Sequence, residues 1–156
     1  MTPAGVLTVL HHFTGSPDGN CPQGITQGTD GNFYGVTVYG GVNDTGTVYK
    51  LTRSGTFTVV HTFGGADGAQ PEYMIVDTNG IIYGWGFNGG TSNEGVCYSL
   101  KIGAKPFVSL VSTSGEEGAK IGVLGQGFGS ASVVEFGGVQ ATSIKLTGKT
   151  FISATK

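Results

Sequence analysis

The sequence predicts an all-β fold, on three observations. Thirty glycines stand in a chain that is still 38% hydrophobic, a combination that suits many tight turns between pleated segments. Nine Phe, six Tyr and frequent Val, Ile and Thr fit half-buried strand surfaces and argue against disorder. Finally, the chain repeats itself after about 49 residues, and such a period decides architecture before any local pattern does.

The repeat reads FTGSPDGNCPQGITQGTDGNFYGVTVYGGVNDTGTVYKL from Phe13, and FGGADGAQPEYMIVDTNGIIYGWGFNGGTSNEGVCYSL from Phe63. Asp18-Gly19 matches Asp67-Gly68, Pro22 matches Pro71, Tyr34-Gly35 matches Tyr83-Gly84, and Gly40-Gly41 matches Gly89-Gly90. Gly46 matches Gly95, Leu51 matches Leu100, and one extra residue precedes Asp18. A period of about 50 residues is the size of four short strands with their turns, one propeller-type blade. Strands are predicted at 6–13, 24–29, 33–38, 46–52 and 56–63, then at 73–77, 81–87 and 95–101. The breakers between them (TDG, GG, SG, ADG and TNG) are turn formers, because Gly supplies positive φ and Asp or Asn bonds its own backbone. Helix has little support where Gly and β-branched residues recur so often.

These motifs (His-x-Phe, Asp-Gly, Pro, Gly-Asn-Phe-Tyr-Gly, Gly-Gly, Gly-Thr-Val-Tyr-Lys-Leu) resemble the GloVer tandem repeat of bacterial surface and secreted proteins, over roughly residues 5–101. The resemblance implies propeller-like arrays on large extracellular proteins and no known catalytic centre.

Composition shifts after Lys101, and Lys105-Pro106 marks a boundary, since Pro cannot continue a central ladder. Two domains are expected: two blade repeats over residues 1–102, and a second domain over 103–156. In the latter, SGEEGAKIGVLGQGFG and VVEFGGVQA resemble the TIG (IPT) immunoglobulin-like domain. That resemblance implies a first strand at 107–112, a turn at Gly115–Gly118, a bulge at Gly125–Phe128 and a hairpin at Phe136–Gly138. It also implies two further strands beyond the one ending near Ala154, so the sandwich reads as partial. Open edges of that kind recruit another chain.

The alignment of 6–13 with 56–63 makes 6–13 the outer strand of a blade whose three inner strands lie in 73–101. Closure then occurs within the chain or with a neighbour's 6–13, and a homo-oligomer is expected.

Net charge is −2 with scattered Lys and Arg, which excludes the basic stripe of a nucleic-acid binder. No apolar run reaches the ~18 residues of a membrane helix, and no signal peptide is visible. Low Lys and Glu content fits an extracellular or cell-surface location. Cys21 and Cys97 read as free thiols or small buried hydrophobes; a disulfide needs a spacing that sequence does not give.

Candidate chemistry is weighed against turn and core duties. His11 or His12 and His61 occupy matching places before Phe13 and Phe63, as expected of a side chain that holds a turn. The sharper reading makes His12 or His61 a general base beside Asp67. Asp18, Asp30, Asp67 and Asp77 lie in Asx-type turns; the sharper reading is calcium, which takes six to eight hard oxygens, although the spacing is not an EF-hand. Tyr34, Tyr83 and Trp85 form either an aromatic platform for a sugar ring or filling between blades. The Gly-x-Ser-x-Gly nucleophile elbow is missing from the sequence.

Three functions follow as expectations. The first is an extracellular binding or adhesion module for carbohydrate or a cell surface. The second is a calcium-dependent hydrolase of lactones or esters, by analogy with propeller lactonases. The third is a self-assembling structural module.

Overall fold

The computed structural model describes residues 5–103, 108–111 and 116–155. The chain divides into two compact units, residues 1–104 and 105–156. Every regular element of the described residues is a β-strand, and all strand pairs are antiparallel.

In the first unit, β1 (Asn20–Gln27), β2 (Phe33–Tyr39), β3 (Thr47–Leu51) and β4 (Phe57–Thr62) form a four-stranded meander in sequence order. The second repeat supplies β5 (Ala69–Val76), β6 (Ile81–Asn88) and β7 (Val96–Lys101), a three-stranded sheet. The two sheets are built alike. Each first strand carries a bulge, between Gln23 and Ile25 or between Pro71 and Tyr73. Just before it, Cys21 and Gln70 take positive φ values of 51° and 52°. Both strands begin some four residues earlier than predicted (24–29 and 73–77), because Pro22 and Pro71 do not stop them. On an edge strand the missing proline N–H breaks no ladder bond.

Directly paired residues share a sheet face, so the register sorts the side chains. Tyr34, Val36 and Val48 lie on one face of the first sheet, fully buried. They pack with Phe63 and Ile82, joined by Met74, Val76, Tyr98, Leu100 and Ile102. The core of this unit is thus the layer between the two sheets. The opposite face of the first sheet carries Ile25, Tyr49 and Leu51.

The predicted strand at 6–13 is not formed. Residues 5–14 join no ladder, and Leu10 to Phe13 lie instead over that opposite face, His11 stacked on Phe57 at 3.7 Å and Phe13 edge-on to Tyr49 at 5.3 Å. A strand needs a partner. Its counterpart β4 has β3, whereas among the described residues nothing pairs with 6–13. Residues 6–13 therefore do not close the second sheet within the chain: the far side of β7 is unpaired in the described sheet.

In the second unit, β8 (Val108–Leu110), β9 (Lys120–Gly125), β12 (Ser143–Thr147) and β13 (Phe151–Thr155) form a sheet in the order β12-β13-β9-β8. β10 (Glu135–Phe136) and β11 (Val139–Gln140) make a hairpin. Its two loop residues, Gly137 and Gly138, both have positive φ, as a type I′ turn demands. Val123, Ile152 and Ala154 form the core, with Ile121, Phe128, Val134 and Phe136 against it. Lys105-Pro106, Gly115 and the ends of the predicted strand 107–112 lie outside the described residues.

Candidate functional site

Each repeat carries one histidine–aspartate clasp. His61 Nε2 lies 2.8 Å from Asp67 Oδ2, and the Gly64 N–H donates to Asp67 Oδ1 at 2.8 Å. In the first repeat, His11 Nε2 lies 2.9 Å from Asp18 Oδ2, while the Thr14 N–H and hydroxyl donate to Oδ1 at 3.0 and 2.8 Å. Each imidazole also meets the following Phe edge-on, His11–Phe13 at 4.8 Å and His61–Phe63 at 4.9 Å. The clasp closes the loop that leads into each sheet, where Gly15 pairs with Gly19 and Gly65 with Gly68. The repeating histidine is therefore His11. His12 is exposed and lies outside both clasps. Counting back from each Phe would have separated the two, because His-x-Phe is common to both copies.

Burial alone would raise the Asp18 carboxyl, but hydrogen bonds from the Thr14 hydroxyl and N–H and from His11 outweigh it and hold it below 3.8. Asp67 is lowered in the same way, burial opposing and the Gly64 N–H and His61 prevailing. A carboxyl that resists protonation more in the folded state than in the unfolded one stabilises the fold above its unfolded value. That contribution is lost as pH falls through the lower, folded value. The first unit is expected to lose stability as pH falls below about 4. Asp18→Ala should cost about 1–3 kcal/mol at neutral pH, because Thr14 loses its acceptor, and should flatten the acid limb. Urea titrations of both proteins between neutral pH and pH 3 check this.

The remaining predicted residues serve their own turns. Asp30 accepts from the Asn32 N–H and amide and from the Tyr34 hydroxyl at 2.8 Å. Asp77 accepts from the Thr78 N–H. Among the described residues, no three His, Cys, Asp or Glu side chains converge on a point where a metal ion would sit. Asp18, Asp30, Asp67 and Asp77 therefore stand apart, each bonded within its own loop. Tyr34 is fully buried, with burial and then Asp30 raising its hydroxyl, so it presents no surface to a sugar. Cys21 and Cys97 are free and exposed, neither bridged nor buried.

Tyr83 and Trp85 differ from Tyr34 in one decisive way. Tyr83 stands where Tyr34 stands in the first repeat, Trp85 where Val36 stands, and Cys97 where Val48 stands. In the first sheet this face is covered by the second sheet; in the second sheet, among the described residues, it is left exposed. Tyr83 is 41% exposed, Trp85 47% and Ile75 66%. Tyr73 leans on Trp85, ring centroids 5.6 Å apart at 37°. Pairing places Tyr73, Ile75, Tyr83, Trp85, Cys97 and Ser99 on this one face, with Lys101 at its end.

Comparison with known families agrees with the repeat geometry. A family model, the Gloeobacter/Verrucomicrobia repeat, matches residues 1–128. The chain belongs to that family. The match to the Gloeobacter/Verrucomicrobia repeat runs on past Lys101 and into the second unit, beyond the stretch whose internal repetition is visible. Among curated proteins none matches, and no solved structure matches either.

Proposed function

We propose that this member of the Gloeobacter/Verrucomicrobia repeat family is a non-catalytic binding and adhesion module that works outside the cell. In this reading the sheets are blades of propeller type, and the second unit is an immunoglobulin-like domain of the TIG kind. The observation that carries it is the bare aromatic face of β5–β7, built on the positions that the first sheet buries against the second. A face with that pattern suits another sheet of the same repeat, since aromatic and aliphatic side chains across two stacked sheets interlock about 10 Å apart. A patch of large apolar residues on a folded protein marks an interaction surface. The histidine–aspartate clasps support the non-catalytic part, because the same clasp recurs in both repeats where it closes the loop into each sheet.

Trp85 is the single tryptophan and sits in the middle of this face, so intrinsic fluorescence reports on it directly. Its emission is expected to shift to the blue as protein concentration rises, in step with light scattering. Ile75→Glu, which would bury an unpaired charge, should weaken association at least tenfold, about 1.4 kcal/mol, and leave the circular dichroism unchanged. Saturable quenching of a protein that stays monomeric by an oligosaccharide would replace this reading with a sugar platform. Hydrolysis of an acyl lactone or ester that chelation abolishes would overturn its non-catalytic part.

A further inference from the structure

The segment Val6–Leu10 is built of Val, Leu and Thr, yet paired with nothing among the described residues. Val6 is 91% exposed, Leu7 90% and Val9 58%. Such a segment has strong strand propensity, and an unpaired strand edge is a template for another chain. β7 offers such an edge, because its sheet ends there. We propose that residues 7–12 of one copy of this chain add as a fourth strand to β7 of a second copy, and that Tyr83 and Trp85 of that copy then pack on Ile25 and Leu51 of the first. The proposal deepens the self-binding reading above and rests on it.

The template is inside the chain. β4 pairs with β3 as Val48↔His61, Lys50↔Thr58 and Leu51↔Phe57, then passes through Phe63 into the second repeat. Shifting each strand to its counterpart gives Cys97 opposite His11, Ser99 opposite Thr8 and Leu100 opposite Leu7. The receiving end is already formed. Phe13 meets Tyr49 at 5.3 Å and 66°, as Phe63 meets Tyr98 at 5.1 Å and 64°, so Phe13 sits where a sheet joined through it would need it. Beside it the first sheet's outer face holds an open cavity of about 400 Å³, lined mainly by Leu10, Phe13, Pro22, Ile25, Leu51 and Phe57. In the second sheet, the face carrying the counterparts Met74 and Leu100 is filled by Tyr34, Val36 and Val48.

Each copy therefore has one donor strand with its cavity and one acceptor edge with its aromatic face. The two surfaces differ, so the contact is head-to-tail and builds a filament or a closed ring, of which a reciprocally exchanged pair is the smallest. The chain's own segment is held away from its own β7, because His11 is clasped to Asp18 and stacked on Phe57, on the side of the first sheet that faces away from the second.

Cysteine pairing tests the register. Opposed strand residues stand about 4.5–5.5 Å apart at Cα, within the span of a disulfide. With Cys21 and Cys97 replaced by Ser, one chain carries Thr8→Cys and another Ser99→Cys. On oxidation by oxidised glutathione the mixture is expected to give a disulfide-linked heterodimer and nothing larger, with neither chain linking to itself. A single chain with both substitutions should give disulfide-linked multimers, as a closed pair or ring or as an open ladder. If the mixture forms no bond while Trp85 still shifts with concentration, the strand addition is wrong and the face-binding reading stands. A double variant that closes on itself as a monomer overturns the second copy as the occupant. A chain that stays monomeric in both experiments overturns both.

Discussion

Phe63→Ala is expected to cost the first unit about 3–5 kcal/mol, the usual loss for a buried Phe truncated to Ala. Phe63 is 1% exposed and lies edge-on to Tyr98 at 5.1 Å. It belongs to the layer where Tyr34, Val36 and Val48 of the first sheet meet Ile82 of the second. Its N–H donates to the Gly46 carbonyl and its own carbonyl accepts from the Asn43 amide and the Thr45 hydroxyl, so the backbone on both sides of the ring is fixed. The cavity cannot collapse without moving one sheet toward the other. Against a typical total of about 5–15 kcal/mol, the loss is a large part of what holds the two repeats together. Calorimetry should show a drop in Tm of about 15 °C or more. Phe13→Ala should cost clearly less, because Phe13 is only half-buried with no second sheet above it. Equal shifts for the two would contradict the layer described here.

Gly35→Ala is the second large effect. A Cβ at this position would clash with the Tyr49 hydroxyl and the ring carbon that bears it, and would stand 2.8 Å from the Gly24 carbonyl oxygen. The second repeat repeats the arrangement at Gly84, where a Cβ would stand 2.5 Å from the Tyr98 hydroxyl and 2.8 Å from the Tyr73 carbonyl oxygen. A side chain can swing away, but the carbonyl belongs to the neighbouring strand and cannot. The cost should approach about 3 kcal/mol at either site, read as a lower urea midpoint at unchanged slope. Tyr49→Leu added to Gly35→Ala should recover part of it. Full additivity of the two changes would show that the ring is not what the new methyl meets.

Much of this fold is legible in the residues alone, and the reason is the doubling. Gly35 and Gly84, Tyr49 and Tyr98, Pro22 and Pro71 each recur because the same backbone approach or bulge is built twice. The strands over 33–38, 46–52 and 81–87 appear within a residue or so of their places for the same reason. Pairing partners are another matter. The segment 6–13 has the pattern of β4, yet pattern states only what a segment is able to form. Whether it forms depends on an edge beside it, which lies elsewhere. Tyr34 and Tyr83 make the same point about surfaces. They are equivalent in sequence, one fully buried and the other 41% exposed, and only stacking order tells them apart. The clasps were half legible: Asp18 and Asp67 stand out through Asp-Gly turns, but the partner histidine was left between His11 and His12. The extra residue before Asp18 blurs a count made from the Asp; a count made from the Phe gives His11 at once.

Sedimentation velocity of the intact chain over a concentration series from micromolar upward tests the central claim most directly. The account predicts mass-action growth beyond the monomer, moved at least tenfold up in concentration by Ile75→Glu, which lies on the aromatic face away from both clasps. A single monomeric boundary at every concentration, identical for the two proteins, would contradict it.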